Sequence, residues 1–512
     1  MPDIVQVRRT GRNQYQAPEM RLGRSQIRMT PQHKTTFDAG NLVPYFLMEI
    51  VPGDTVTCDM LSFLRVFSPL DAPIMDNIEA AIDFFFVPKR IVWDNWEAFL
   101  GAHDDAGAQD MDFTVPVINS NTTLNQSDDN KKLYAYLGIP YGLNPSVTNI
   151  NALPLRAYAL IYNEWYRDQN LIDSVTVNTD NGPDAWNDVD LYKSAKRHDY
   201  FTSALPYLQK GDAVSAQFPV SGIGIETTDF VTTSQAVYEA GQSAQQTYTN
   251  AKLVSDAAAG NQIYIEEDTG DFADRPAIYA NITINELREA AAIQRLLERD
   301  ARAGTRYTEV IRAHFGVDVP DYRLQRPEYL GGGRGFINVT PIANTSPVDS
   351  TASPDGADWN AGQLAATAAG TLRARWAKSF VEHGYVLGIL RARGDVTYQQ
   401  GLERLWSRST KYDFLYPELS MLGEQPIYNR ELWIEGDSTD DDVFGYQERY
   451  ADYRFKKSLV TGKFVSDIAG SLDYWHLAED FANQPSLNQT FIEDQTPMSR
   501  VTVVTKIGRA HV

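Results

Sequence analysis

The sequence predicts a mainly β protein with long irregular insertions and a few helices. Three observations predict it. Val56, Cys58 and Met60 alternate with Thr57 and Asp59, the period of two expected of a half-buried strand. Further along, Ile78, Ala80, Ile82, Phe84 and Phe86 form an unbroken apolar face. Only three stretches carry a helical pattern, and long runs rich in Asn, Asp, Ser, Thr and Gly separate them.

The elements follow in chain order. Residues 1–34 are polar, without a clean period, and hold Arg8, Arg9, Arg12, Arg21, Arg24, Arg28 and Lys34 against only Asp3 and Glu19. Such a basic segment is expected to be a solvated arm, or an arm that lies against a polyanion. Its lack of an apolar stretch argues against a secretory leader. From Pro44 to Pro88 the pattern is β, with "VPGDT" marking a turn. On the second face of the later strand, Glu79, Ala81, Asp83, Phe85 and Val87 run from polar to apolar. That strand enters the core along its length, and Pro88 ends it. Trp93 and Trp96 come next at i, i+3, with Phe99 and Leu100 continuing the stripe. A short helical turn is expected there.

"LPLRAYALIYNEWYRDQN" sets Tyr158, Ile161, Tyr162 and Trp165 on one helical face, with Pro154 near its start. "INELREAAAIQRLLERDARAGTRY" is rich in helix formers and has Gly304 as its stop. "VTYQQGLERLWSR" is a shorter helical candidate. Residues 104–151 and 340–362 read as surface loops, and 216–282 as an Ala/Thr/Ser/Gln-rich insertion with few cations.

The whole chain of 512 residues carries a net charge of -21. A surface of that sign repels phosphate, so any nucleic-acid contact must be local. Cys58 is the sole cysteine, which leaves no intrachain disulfide and no thiolate cluster. No apolar run approaches the ~18 residues of a membrane span, so no membrane insertion is expected.

Motifs for chemistry are weak. "LGGGRGF" is followed by the β-like "FINVTPI", not by the helix a phosphate cradle needs, so a turn is expected. "DSTDDDVFGYQE" resembles a calcium loop but has Asp442 where the glycine belongs, so an acidic surface turn is expected. The seven histidines are scattered, without metal-ligand spacing. No catalytic residue, metal or cofactor is expected, and the protein is not expected to be an enzyme.

Several long blocks then point one way. "APIMDNIEAAIDFFFVPKRIVWDNWEAF", "RHDYFTSALPYLQKGDAV", "VDVPDYRLQRPEYLGGG", "EQPIYNRELW" and "FGYQERYADYRFKKSLVTG" are similar to the major capsid proteins of the Microviridae. The gokushovirus-like branch of these single-stranded DNA bacteriophages is the nearest in pattern. The similar blocks keep the family's order from about residue 20 to residue 503.

The resemblance implies a viral jelly roll, with two antiparallel four-stranded sheets (eight strands) and long loop insertions, as one capsid domain over 35–506. It implies a small T=1 icosahedral shell of many copies in the virion, assembled in the bacterial cytoplasm around a circular single-stranded DNA genome. It also implies a small basic internal DNA-binding protein as a partner. The 216–282 segment falls where gokushovirus-like members carry an outward protrusion, for which a bacterial surface receptor is a possible partner. The arm cations Arg8, Arg9, Arg12, Arg21, Arg24, Arg28 and Lys34 are the DNA-contact candidates, with Lys193, Lys196 and Arg197 a smaller second group. Trp93, Trp96 and Phe99 are the subunit-interface candidates. Ile507 to Val512 back-translate as a common short-read sequencing adapter, so 507–512 are expected to be a non-native tail. The alternative reading is a jelly-roll carbohydrate-binding or host-attachment protein.

Overall fold

The long strands pair into one curled antiparallel sheet. The computed structural model describes residues 23, 25–66, 69–102, 113–119, 129–140, 149–212, 214, 237–239, 263–265, 284–345, 362, 364–420 and 422–502. Within them the strands are β1 (Val43–Ile50), β2 (Thr55–Arg65), β3 (Ile78–Pro88), β4 (Ile118–Asn119), β5 (Asp184–Ala185), β6 (Val237–Glu239), β7 (Ile263–Ile265), β8 (Glu328–Ala343), β9 (Leu364–Ser379), β10 (Gly384–Gly394), β11 (Glu424–Tyr428) and β12 (Val443–Glu448). The main sheet has the order β1-β10-β3-β8-β9-β2. Three short pairs accompany it: β11-β12, β4-β5 and β6-β7.

Strand β8 makes the curl. Its first part, up to Ile337, pairs with β3, and from Asn338 onward it pairs with β9. The glycine run lies inside this strand and is not the expected turn. The positions are glycine because other backbones pass too close for a side chain. A Cβ on Gly332 would stand 2.4 Å from the Ile82 carbonyl oxygen, and one on Gly333 would stand 2.1 Å from that of Arg373. A turn signal and a close-approach signal look alike in sequence, because both ask only for a missing side chain.

The curl brings β3 over β9. Ile82 and Phe84 of β3 share a core with Leu372, Ala374 and Trp376 of β9, and the Phe84 and Trp376 rings lie 5.8 Å apart. The alternating face of β2 supplies Val56, Cys58 and Met60 to the rim of this core. The opposite face of β3 is covered as well. Phe85 and Val87 join Leu387 and Ile389 of β10 under the helix Leu153–Ile161. Glu79 and Asp83 stay half-buried while Phe85 to Pro88 are buried, so the strand sinks into the protein as its polar-to-apolar gradient predicts.

The predicted helix at 153–161 continues as a π-turn over Tyr162–Tyr166. The helix Ile284–Ala303 ends at Gly304, whose φ of +99 no other residue adopts easily. A helix at Asp129–Tyr136 falls inside the expected 104–151 loop, and buries Leu133 and Tyr134. The helix expected in "VTYQQGLERLWSR" does not form, apart from one 3-10 turn at Arg404–Ser407. Its backbone is engaged elsewhere: Glu479 N–H donates to Thr397 O (2.8 Å), Ile434 N–H to Gln400 O (3.0 Å) and Leu402 N–H to Arg430 O (2.7 Å). Tertiary hydrogen bonds outcompete a weak local preference there.

Candidate subunit interface

The stripe after β3 splits between core and surface. A 3-10 turn at Lys89–Ile91 turns the chain, and Trp96–Phe99 forms one helical turn. Trp93, Trp96 and Phe99 make a ring cluster with centroids 5.3–6.1 Å apart. Trp93 is fully buried in its own chain, and its indole N–H donates to Asn181 Oδ1 at 2.8 Å. This corrects the expectation for Trp93, which has no surface to offer a neighbour. The i, i+3 spacing gave no means of separating the inner ring from the outer two. Trp96 and Phe99 remain half-buried, and Leu100 beside them is 54% exposed. Lys89 Nζ lies 4.7 Å over the Trp96 ring and is ion-paired with Glu49. Arg90 pairs with Glu382 at 2.7 Å. A shallow cavity of about 320 Å³, lined by Arg90, Trp96, Leu100 and His383 among others, opens beside this turn.

The described part of the basic arm has no helix or strand. Arg28 and Lys34 are exposed. His33 Nδ1 lies 2.6 Å from the Tyr45 carbonyl oxygen of β1. Arg8, Arg9, Arg12, Arg21 and Arg24 lie outside the described residues, as do 507–512. In the second cationic group, Lys193 and Arg197 are exposed, but Lys196 is buried and paired with Glu479 at 2.9 Å. Lys196 is therefore withdrawn as a phosphate contact. Within 216–282 the described residues are the antiparallel pair β6-β7.

The acidic 437–448 stretch holds its own backbone. Asp437 accepts from Thr439 N–H, and Asp440 accepts from the N–H groups of Glu435 and Gly436. Among the described residues no group of three or more His, Cys, Asp or Glu is arranged to hold a metal ion. No helix there is long and apolar enough to cross a membrane.

A second exposed aromatic segment lies at 405–420. From within the 3-10 turn at Arg404–Ser407 the chain runs as an exposed lip, Leu405 to Ser420. Along it Leu405, Trp406, Tyr412, Phe414, Leu415 and Tyr416 are all exposed, Trp406 by 74%. The lip is held in place from behind. Arg408 is ion-paired with Asp452 and lies 4.1 Å over the Tyr453 ring. The Asp413 carboxylate accepts from the N–H groups of Ser409 and Thr410 and from the Thr410 hydroxyl, and Leu415 N–H donates to the Tyr453 hydroxyl at 3.2 Å. A cavity of about 340 Å³ lies behind, with Tyr200, Arg404, Glu431 and Lys457 in its wall. Glu431 accepts from Arg404 (3.1 Å) and from the Tyr200 hydroxyl (3.2 Å), while Lys457 donates to Gly401 O at 2.9 Å. Burial pushes the Glu431 carboxyl up and the Lys457 ammonium down to about 8. Each of these groups holds a neighbouring segment in place. The only signal for the lip in the sequence is aromatic density without a period, which a core loop shares.

Where the arm enters the fold, Gly40 sits against Asp494. Ser194 N–H donates to Gly40 O, and Asp494 N–H to Ser194 O. Burial holds the Asp494 carboxyl up at about 6, against the pull of a Thr496 hydroxyl bond and of Arg393 and Lys196 nearby; Glu479 adds to the rise. An unfolded Asp titrates near ~4. Between about pH 4 and pH 6 the folded chain therefore holds more protons than the unfolded chain. Its stability falls as pH rises through that window, and stays lower above it. Asp494→Asn should remove this component. Urea midpoints at pH 4.5 and pH 7 check it: the variant's advantage over the native chain should be larger at pH 7.

The described residues thus combine a curled antiparallel sheet with an exposed, aromatic-rich segment at 405–420. The chain belongs to the phage capsid protein (F protein) family, whose sequence model matches residues 16–509. It is 44% identical over 503 residues to capsid protein VP1 of Bdellovibrio phage phiMH2K, covering 96% of this chain and 92% of that one. It is 38% identical to capsid protein VP1 of Chlamydia phage 1, with the same coverage. With capsid protein VP1 of Spiroplasma virus 4 the identity is 33%, over 92% of this chain and 88% of the other. The family is structural rather than enzymatic.

Proposed function

We propose that this chain is the major capsid subunit of a gokushovirus-like phage, closing into a small icosahedral shell around a circular single-stranded DNA genome. One observation carries the reading: similarity to capsid proteins runs through nearly the whole chain and nearly the whole of each relative. The fold is proposed to be the viral jelly roll, with β1-β10-β3-β8 as one four-stranded sheet. The β8-β9-β2 part belongs to the second. The 216–282 insertion projects outward and serves host attachment. Assembly takes place in the bacterial cytoplasm.

The genome poses an electrostatic problem, because the chain is itself net negative. The basic arm is the local answer, as arginines hold phosphates without reading sequence. A small basic internal protein supplies the remaining neutralisation. Purified full-length chain should form shells or pentamers by size-exclusion chromatography and negative-stain microscopy. A stable monomer with a binding or hydrolytic activity would overturn the reading. In the same preparation, deletion of residues 2–30 should reduce packaged DNA more than shell yield. Normal DNA content in deletion particles would remove the arm from this role.

A further inference from the structure

We infer that the lip from Leu405 to Ser420 is a contact between copies, covered in the shell by a second copy of this chain. The inference rests on the capsid reading and gives it a location. Six large side chains (Leu405, Trp406, Tyr412, Phe414, Leu415, Tyr416) stand 44–74% exposed within one short segment. Single exposed apolar residues are ordinary, but six in one short segment, four of them aromatic, mark a binding surface. Trp and Tyr are the residue types that anchor protein interfaces.

Three further observations select a second copy as the occupant. First, charge: within 405–420, Arg408 and Lys411 are matched by Asp413 and Glu418, in a chain of net charge -21. Identical acidic subunits repel one another, and a locally neutral surface is where they meet with least cost. Second, the same neutrality disfavours nucleic acid. Arg408 is engaged with Asp452 behind the lip, which leaves no surplus of cations for phosphates. Third, the lip is ordered before it is covered. The Thr410–Asp413 cap, the Leu415–Tyr453 bond and the Arg408 stack fix its backbone from within the subunit. Burial against a neighbour then costs little conformational entropy.

The test compares hydroxyl-radical oxidation of Trp406 and Tyr412 in purified shells and in subunits dissociated from them. Alongside it, Trp406→Ser with Phe414→Ser is assayed for shell formation, with Val381→Ser as a control, since Val381 is 87% exposed but lies off the lip. The expected result is oxidation several-fold lower in shells, with the double variant folded but unassembled and the control assembling normally. Equal oxidation in both states overturns the proposal, as does normal assembly of the double variant. Protection already complete in the free subunit would mean that the chain covers its own lip. Protection confined to DNA-filled particles would assign the lip to nucleic acid; either outcome sinks the inference while the capsid reading stands. If the double variant misfolds, oxidation of the native chain decides alone. Failure of the native chain to form any shell overturns the capsid reading and this inference together.

Discussion

Arg156→Ala is expected to destabilise the subunit by about 3–5 kcal/mol, the cost of breaking a buried ion pair from one side. Arg156 is buried, yet all three of its guanidinium nitrogens are engaged. Nε and Nη2 form a fork to the buried Asp184 carboxylate at 2.7 and 2.6 Å. Nη1 donates to the carbonyl oxygens of Val92 (3.1 Å) and Asp180 (2.9 Å). The side chain thus ties its helix to the turn after β3 and to the 180–184 loop. Alanine would leave the Asp184 charge and two carbonyl groups without their partner. Arg156→Lys should fall between, because it keeps the charge but loses the planar fork. Urea unfolding of unassembled subunits measures both. A loss near zero for the alanine variant would mean that water replaces the fork.

Trp93→Ala should cost a similar ~3–5 kcal/mol, through the cavity it leaves. Its ring lies among Val92, Phe85, Val87 and the Leu153–Ile161 helix in one core. The substitution also strips Asn181 Oδ1 of its indole donor. Trp96→Ala should differ in kind. Its ring is half-buried, so less is lost within the subunit, and more of the effect should appear as reduced shell yield. Denaturation midpoints of free subunits, set against shell yield by sedimentation, separate the two tryptophans. Equal midpoint losses would mean that both are core residues.

Much of the sheet was legible. Alternation placed β2, and the polar-to-apolar gradient along Ile78–Val87 announced a strand that ends buried on both faces. The helix at 284–303 was also plain, from composition and Gly304. The failures share a cause. "VTYQQGLERLWSR" lost its helix to hydrogen bonds from segments 28 to 82 residues away in sequence, and the glycines of "LGGGRGF" answer to Ile82 and Arg373. Lys196 looked like a free cation until the fold brought Glu479 beside it. Trp93 is buried and bonded to Asn181, whereas Trp96 stays half-buried under Lys89, and both outcomes depend on segments distant in sequence or on the turn's own geometry.

The candidate surfaces divide in the same way. The arm is visible from charge alone, because seven cations against two acids in 34 residues need no neighbour to be noticed. The lip at 405–420 is not, because aromatic residues read alike in a core and on a surface. By itself the sequence determined the strand periods, the charge and the family, since these are carried by adjacent residues and long ordered blocks. Only the tertiary structure decided which aromatics are buried within the chain and which stay exposed. Burial depends on what packs over a side chain, and the packing partners come from distant parts of the chain.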